Sequence, residues 1–536
     1  MLELTGLRLP YTATEEELKQ RAAELCRVSA DAFLTFRISR RALDARKKQQ
    51  ISYLYNVTVS LPKKLEQQAL RRKDDRIKAC SPETDTEIAA GTEDCRGRIV
   101  VAGLGPAGLF AAYTLAKQGY RPLVLERGRP VEERVQSVER FWSARALDPE
   151  SNVMFGEGGA GTFSDGKLMS RSKDPRGQRV LELLAENGAP GEIVYLAKPH
   201  IGTDRLRAVV SNLRRRIEQL GGEVWFSARL SGVRCDAGRI AEIAVTRPDG
   251  EVRVPTAALV LATGLGARDT CRMLHRAGVA MQPKAFAVGC RIEHPQSLID
   301  HAQFGDAAGD PRLGAAEYHL SARSGDRGVY TFCMCPGGKV VASASAPEQL
   351  VVNGMSDYAR DAENANAAVI VQVGPEDFGY GAFDGVQFCE KLERDAFYAG
   401  GGDHTAPASR VEDYLARRAS AAFSYVHPSY RPGVRRTNLW DCLPEFVAAG
   451  IAEGVVAFGH QLAGYDLPDA VLTAVESRTS SPIRILRTAM GVSETVSNLY
   501  PAGEGAGYAG GIVSAAIDGM RAAERIIGRF RPPVWE

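Results

Sequence analysis

The chain has 536 residues, 44% of them hydrophobic and 25% charged, with 67 Lys and Arg against 65 Asp and Glu for a formal net charge of +2. This is an ordinary globular composition, and its balance argues against a protein that coats nucleic acid or an anionic membrane. No stretch approaches the ~20 apolar residues of a membrane span, and the opening residues, with Glu3 and Arg8, lack the apolar run of a secretory signal, so a cytoplasmic protein of two or three domains is expected.

Residues 1–73 read as a small α+β unit. A strand over 2–9 comes first. Thr14 before Glu15, Glu16 and Glu17 then marks a capped helix ending near Cys26. Residues 33–38 and 51–61 alternate as half-buried strands do, with a basic run over 39–48 between them. Residues 71–97, rich in Ser, Pro, Thr, Asp and Glu, read as a linker. A helix is predicted over 203–220, stopped by Gly221 and Gly222. Short strands follow at 223–226, 232–235, 240–245 and 252–255. The continuous apolar run 257–261 fits a buried parallel strand. Residues 271–480 mix strands, helices and irregular loops, and 498–529 close with strand, glycine loop and helix.

The clearest chemistry-bearing signal spans 98–128. A buried strand, 98–102, runs into Gly103-Leu104-Gly105-Pro106-Ala107-Gly108, then a helix, then a second strand ending in Glu126-Arg127-Gly128. Gly103 permits the tight turn, Gly105 admits a pyrophosphate to the backbone, and Gly108 lets helix and strand pack. The helix N-terminus favours phosphate, and Glu126 is placed to accept from an adenosine ribose.

Three distant segments belong with this loop. One is Gly156-Glu157-Gly158-Gly159-Ala160-Gly161-Thr162, whose glycine density exposes backbone donors. The second is the strand end Ala262-Thr263-Gly264. The third is Gly503-Glu504-Gly505-Ala506-Gly507, followed by Gly510, Gly511 and Ile512. Together they resemble the FAD-dependent oxidoreductases of the glutathione-reductase-like superfamily. More narrowly, the chain resembles the family of NAD(FAD)-utilizing dehydrogenases, on the phrases Lys198-Pro199-His200-Ile201-Gly202, Phe332-Cys333-Met334-Cys335-Pro336 and Glu476-Ser477-Arg478-Thr479-Ser480.

The resemblance implies bound FAD. Gly103, Gly105, Pro106, Ala107 and Gly108 would face the pyrophosphate, and Glu126 and Arg127 would lie beside the adenosine. Gly158, Gly159, Ala160, Gly161, Thr162, Ala262, Thr263 and Gly264 would line the cofactor. Glu504 would meet the ribityl chain from the position where many flavoproteins have Asp, and Gly503, Gly510, Gly511 and Ile512 would meet the flavin. It implies an α/β fold in which a Rossmann-type FAD-binding domain, 97–270 with 481–536, carries an inserted α+β substrate domain over 271–480. A small N-terminal α+β, ferredoxin-like domain with its linker occupies 1–96. The expected activity passes a hydride between flavin and a small-molecule substrate. With a single complete dinucleotide loop, NAD(P)H is expected only as a transient donor.

Ten cysteines include no CxxC spacing, so no metal site is expected. Cys333 and Cys335 lie two apart in a strand-like segment that Pro336, Gly337 and Gly338 interrupt, so both thiols are expected on one face at the roof of the substrate cavity. Cys335, beside the break, is the first choice for a reactive thiol, with a pair of core-filling thiols as the alternative. His200, His294, His301, His319 and His404 are candidate proton donors. Arg478 fits either a substrate carboxylate or a structural ion pair. Two other readings stand beside the dehydrogenase: an oxygen-using FAD monooxygenase, and a flavoprotein that grips RNA through its basic N-terminal run.

Overall fold

The computed structural model describes residues 1–81, 88–170 and 172–533. It is a mixed α/β structure built on three main sheets.

The N-terminal unit runs strand Leu2–Pro10, helix Glu15–Cys26, strands Thr35–Asp44 and Ser52–Ser60, helix Lys63–Arg71 and strand Ile77–Ala79. Its sheet places Leu2–Pro10 between Ser52–Ser60 and Ile77–Ala79, with Thr35–Asp44 at the far edge. The first helix starts on a capping box: Glu17 N–H donates to the Thr14 hydroxyl at 3.3 Å and Thr14 N–H to the Glu17 carboxylate at 2.7 Å. Leu2, Leu4, Leu18, Ala22, Val57 and Val59 close a separate small core.

Two expectations from the sequence do not hold in this unit. Only the second half of the basic run connects the strands: the edge strand continues through its first half to Asp44, and Arg41 exchanges backbone hydrogen bonds with Tyr195 and Ala197 (2.8 and 2.9 Å), docking the unit on the body. Nor is 71–97 wholly a linker. Ile77–Ala79 pairs with Leu2–Leu4, too short a strand to show alternation, and further on Gly91 and Glu93 donate to Ile527 and Arg529. Residues 82–87 of that expected linker lie outside the described residues.

The second sheet has the order Glu223–Trp225, Leu123–Leu125, Arg98–Ala102, Gly250–Leu261, Arg239–Arg247, Arg229–Asp236, with Leu499–Pro501 also on Gly250–Leu261. The pairings among its first four strands, and to Leu499–Pro501, are parallel. Covered on both faces, such strands read as unbroken apolar runs. The segments read as two strands, 252–255 and 257–261, form one twelve-residue strand. It pairs antiparallel with Arg239–Arg247, slips register between Thr256 and Ala258, and continues parallel to Arg98–Ala102. Helix Ile512–Ile527 crosses helix Pro106–Lys117 so closely that a Cβ at Gly519 would lie 2.0 Å from the Ala107 carbonyl oxygen.

The third sheet lies within 286–476, in the order Ser321–Ser324, Arg327–Cys335, Asn364–Val373, Phe286–Pro295, Val471–Glu476, Ala406–Arg410, Val434–Arg436. Helix Glu445–Gln461 covers it, with Gly450 and Gly454 over Val371 and Val329. The chain enters and leaves this body through a two-stranded ribbon, Met281–Pro283 paired with Ile483–Ile485. Among the described residues, no helix is long and apolar enough to cross a membrane.

Candidate functional site

The fold brings the four glycine-bearing segments to the ends of the parallel strands. Gly103 turns with φ +101, and its N–H donates to the Leu125 carbonyl at 2.7 Å. Gly108 packs so tightly that a Cβ would lie 1.8 Å from the Gly103 carbonyl oxygen. Gly105 differs: it caps helix Pro106–Lys117 at an ordinary φ of −78, and a Cβ there would meet only the Gly159 Cα, at 3.7 Å. Two of the three glycines therefore serve the fold, and the third keeps the helix N-terminus open to a ligand. Pro106 fills the first helical position, and Ala107 supports the crossing helix and the Gly503 turn.

Gly158 N–H donates to the Leu104 carbonyl at 2.8 Å, which carries Gly159 against Gly105. Residues Ala160–Phe163 make a short 3-10 turn beside the start of the last helix, where a Cβ at Gly161 would sit 3.4 Å from Ile512. Thr162 is buried, its hydroxyl donating to the Glu157 carbonyl at 3.3 Å. Ala262 continues the ladder by donating to Ala102, Thr263 backs Gly103, and Gly264 turns at φ +71 with nothing where a Cβ would be. Gly505 packs against Gly264, so the Gly503 turn and the Ala262 strand end are in contact. Gly510 and Gly511 are exposed and lead into helix Ile512–Ile527, whose N-cap Gly511 is at φ +87. A cavity of 540 Å³ opens beside them, lined by Met169, Ser172, Arg487, Tyr508 and Ser514.

A dinucleotide cofactor fits this arrangement. The close approach of Gly105 and Gly159 without side chains and the empty Cβ direction of Gly264 leave a cradle beside two helix N-termini that no side chain caps.

Glu126 sits at the end of its strand, 5% exposed, and accepts from the N–H groups of Leu104, Gly128 and Gly156, each at 2.9 Å. It ties three segments together, and carboxylate oxygens so engaged retain lone pairs for a further donor. The Arg127 guanidinium lies 4.0 Å over the Phe155 ring and spans Glu150 and Asp269, so its fork is already occupied.

Two positioning residues escaped the sequence reading. Arg134, fully buried, donates to the carbonyls of Asn152, Val153, Gly156 and Glu157 and so clamps the loop that leads to Gly158. Burial depresses its pKa to about 10, against the raising charges of Glu126 and Glu157. Asp518 accepts from Gly503 N–H at 2.8 Å while pairing with both terminal nitrogens of Arg487 at 2.9 Å, fixing the Gly503 turn. The available signals were a charged residue on the apolar side of each helix. Glu504 is half-buried. Burial pushes its pKa up to about 7; Lys284 opposes the rise and Cys333 adds to it.

Cys333 and Cys335 do not follow simple alternation. Phe332 pairs with Ala368 and Cys335 with Asn366, so two residues on this strand oppose one on its partner, a β-bulge. Cys333 takes a left-handed φ of +43 and is half-buried, whereas Cys335 is 0% exposed. Exposure therefore favours Cys333, reversing the preference read from the sequence. The reason is the bulge, which Pro336 alone does not reveal.

The segment is held by two cations. Arg291, fully buried, donates to the Cys333 carbonyl at 2.8 Å and pairs with Glu476 at 2.7 Å. The Lys167 ammonium donates to the Met334 carbonyl and pairs with Asp165 at 3.2 Å. Asp165 also accepts both nitrogens of the Arg360 fork; burial works to raise its pKa, but Lys167 and Arg360 bring it down to about 2.

Arg478 occupies the structural alternative: with Arg268 it encloses the buried carboxylate of Glu393, at 3.1 and 2.7 Å. The histidines do not converge. His200 stacks on Tyr358, His404 packs between Phe141 and Phe397, and His301 and His319 are exposed. His294 is buried, and desolvation lowers its pKa to about 4. Among the described residues, no cluster of His, Cys, Asp or Glu forms a metal site.

Residues 285–479, which hold the third sheet and its helices, match the family described as "FAD-dependent protein, C-terminal domain-like". Residues 1–60 match a domain of unknown function. The chain belongs to the same family as an uncharacterized protein of Clostridium beijerinckii, with which it is 46% identical over 536 residues, 99% of each chain. Among solved structures, the flavin-dependent brominase Bmp2, as a triple mutant, aligns with 81% of this chain and 80% of its own at 12% identity and a TM-score of 0.35. CtdE in complex with FAD aligns over 80% and 83% at 11% identity and a TM-score of 0.31. The anhydrotetracycline hydroxylase OxyS of Streptomyces rimosus aligns over 52% and 45% at 19% identity and a TM-score of 0.27, so this chain spans under half its length.

Proposed function

We propose that the protein is an oxidoreductase of the glutathione-reductase-like type that binds one FAD in the cradle between Gly105, Gly159, Gly264 and Gly511. The observation that carries this reading is the contrast among the loop glycines: Gly103 and Gly108 are closed by packing, whereas a Cβ at Gly105, the N-cap of its helix, would meet only the Gly159 Cα at an ordinary 3.7 Å, and one at Gly264 would meet nothing within 4 Å. Bound FAD supplies two-electron redox chemistry. The chain's own residues bind and orient it. The N–H groups of Gly105, Ala107 and Gly108 receive the pyrophosphate, with Pro106 setting the first helical turn; Glu126 receives the ribose, Glu504 the ribityl hydroxyls, and the N-terminus of Ile512–Ile527 a partial negative charge on the flavin. The body over 286–476 shields the reacting edge from water and presents Cys333 to a small-molecule substrate, opposite Lys167 and Glu504 of the FAD-binding segments.

The donor is taken to be NAD(P)H arriving transiently. Gly266, two residues past the strand end Ala262-Thr263-Gly264, packs its Cβ direction against the Phe155 ring at 3.2 Å, so that glycine turn is filled by protein rather than open to a second dinucleotide. The test is anaerobic reduction of the purified yellow protein by NADH or NADPH, followed by mixing with oxygen or with candidate acceptors. Bleaching by a nicotinamide supports the dehydrogenase reading. Reoxidation by oxygen coupled to hydroxylation of an added substrate turns it to a monooxygenase. A colourless protein that FAD does not reconstitute overturns both.

A further inference from the structure

We propose that Cys333 and Cys335 form a redox-active dithiol that exchanges with disulfide substrates, with Cys333 as the attacking sulfur and Cys335 as the resolving one. The proposal deepens the oxidoreductase reading above by naming a substrate class, and its reductive half rests on that reading.

The geometry comes from the bulge. A regular strand holds residues i and i+2 apart on one face, but the extra residue and the left-handed turn at Cys333 fold the segment back on itself. The Cys335 sulfur lies 3.3 Å from the Cys333 carbonyl oxygen and beside the Cys333 sulfur, and its single S–H proton serves one of these two acceptors at a time. A left-handed conformation in a non-glycine residue is held only where its surroundings enforce it. Here Arg291 grips the Cys333 carbonyl and Lys167 the Met334 carbonyl. Gly337, Gly338 and the Arg360 backbone press behind: a Cβ at Gly337 would lie 1.8 Å from the Arg360 carbonyl oxygen.

The electrostatics divide the two thiols. The hydrogen bond from Cys335, together with Arg291 and Lys167, holds the Cys333 thiol well below its ordinary range against the opposing effects of burial and Asp165. Glu476 and Glu504 also face it; burial raises each of them, and the negative charge of Cys333 adds to the rise. Cys335 is pushed up by Cys333 and by burial. A low, half-exposed thiolate beside a high, buried thiol is the division of labour that thiol–disulfide exchange uses. By contrast, Cys271, Cys389 and Cys442 are buried thiols raised to about 12, as inert core cysteines are.

The Cys333 thiolate attacks one sulfur of a substrate R–S–S–R′, forming a Cys333–S–R bond and releasing R′S⁻. Cys335 loses its proton and attacks the Cys333 sulfur, forming the Cys333–Cys335 disulfide and releasing RS⁻. The substrate disulfide gains two electrons and the pair loses them. Returning the pair to two thiols consumes two electrons and two protons, for which a reduced flavin is the donor class.

Oxidised glutathione is the probe, applied to the full-length protein as purified, with intact-mass and peptide-mass readouts. The wild type is expected to lose the mass of two hydrogens, localised to the Cys333–Cys335 peptide. Cys335→Ser is expected to accumulate a glutathione adduct on Cys333, and Cys333→Ser to accumulate none on Cys335. At pH 6, native Cys333 should react with iodoacetamide at least ~10-fold faster than free cysteine, as a depressed thiol does. Wild-type protein whose two cysteines stay unmodified until it is denatured overturns the proposal, and this needs no variant to fold. A protein that binds FAD but shows inert cysteines refutes the dithiol alone. A protein that forms the disulfide yet binds no FAD refutes the flavin reading and leaves the dithiol standing.

Discussion

Glu504 offers a quantitative entry to the site, because its environment forces its charge and its partner to be linked. Burial lifts its pKa from an ordinary 4.5 to about 7, with Lys284 opposing and Cys333 reinforcing. The native protein therefore holds this proton more tightly than the unfolded chain does. Between pH 4.5 and 7 the native state is the more protonated, so stability falls as pH rises through that window and stays lower above it. At ~1.4 kcal/mol per pH unit for one proton, and with a discount for partial exposure, the loss is about 2–3 kcal/mol. Glu504→Gln keeps the shape and removes the titration. Urea unfolding of the FAD-free protein and variant at pH 5 and pH 8 should show the variant gaining about 2–3 kcal/mol on the wild type between the two pH values. If ribityl hydroxyls donate to this carboxylate, FAD binding favours its charged form and releases a fraction of a proton near pH 6.5, which calorimetry in buffers of different ionisation enthalpy detects. A wild-type-to-variant difference that is the same at both pH values would refute the reasoning.

The loop glycines should separate. Gly105→Val should leave the FAD-free fold within ~0.5 kcal/mol but abolish FAD uptake, whereas Gly108→Ala, driven into the Gly103 carbonyl, should cost at least ~1–3 kcal/mol of stability; equal unfolding midpoints for the two would contradict this. Arg134→Met strands four buried carbonyls and should cost about 3–5 kcal/mol, with faster proteolysis of the 152–158 loop as the local readout. Glu393→Gln should cost a similar ~3–5 kcal/mol at pH 7. Burial alone would raise the Glu393 carboxyl, but Arg268 and Arg478 bring it to about 2, so the wild-type advantage should persist above pH 4.5 and fade as pH falls toward 2. Deleting residues 1–81 should preserve FAD binding. Deletion through 96 should lower the melting temperature further, because it also removes the Gly91 and Glu93 contacts with the end of the last helix.

Local signals carried much of the cofactor half of the molecule. Strand, glycine turn, helix and acid over 98–128 are written contiguously, because each step is a backbone requirement met by adjacent residues. The buried parallel strand at 257–261 shows as an unbroken apolar run for the same reason. The Thr14 capping box is legible at a spacing of three. Tertiary structure decided the rest. Which glycines are closed and which stay open depends on segments ~50 to 400 positions away: Gly105 faces Gly159, Gly264 meets Gly505, and Gly161 meets Ile512. Arg134 reads as a surface arginine in an amphipathic helix until the 152–157 loop wraps over it. The three-residue strand Ile77–Ala79 has no period to display, and the bulge at Cys333 is fixed by register against Asn364–Val373 rather than by its own residues. Sequence periodicity reports the face a residue would occupy in an ideal element. The departures that place Cys333, Glu504 and Arg291 around one space arise from pairing between distant strands, where the balance of packing and charge is set by partners the local sequence does not contain.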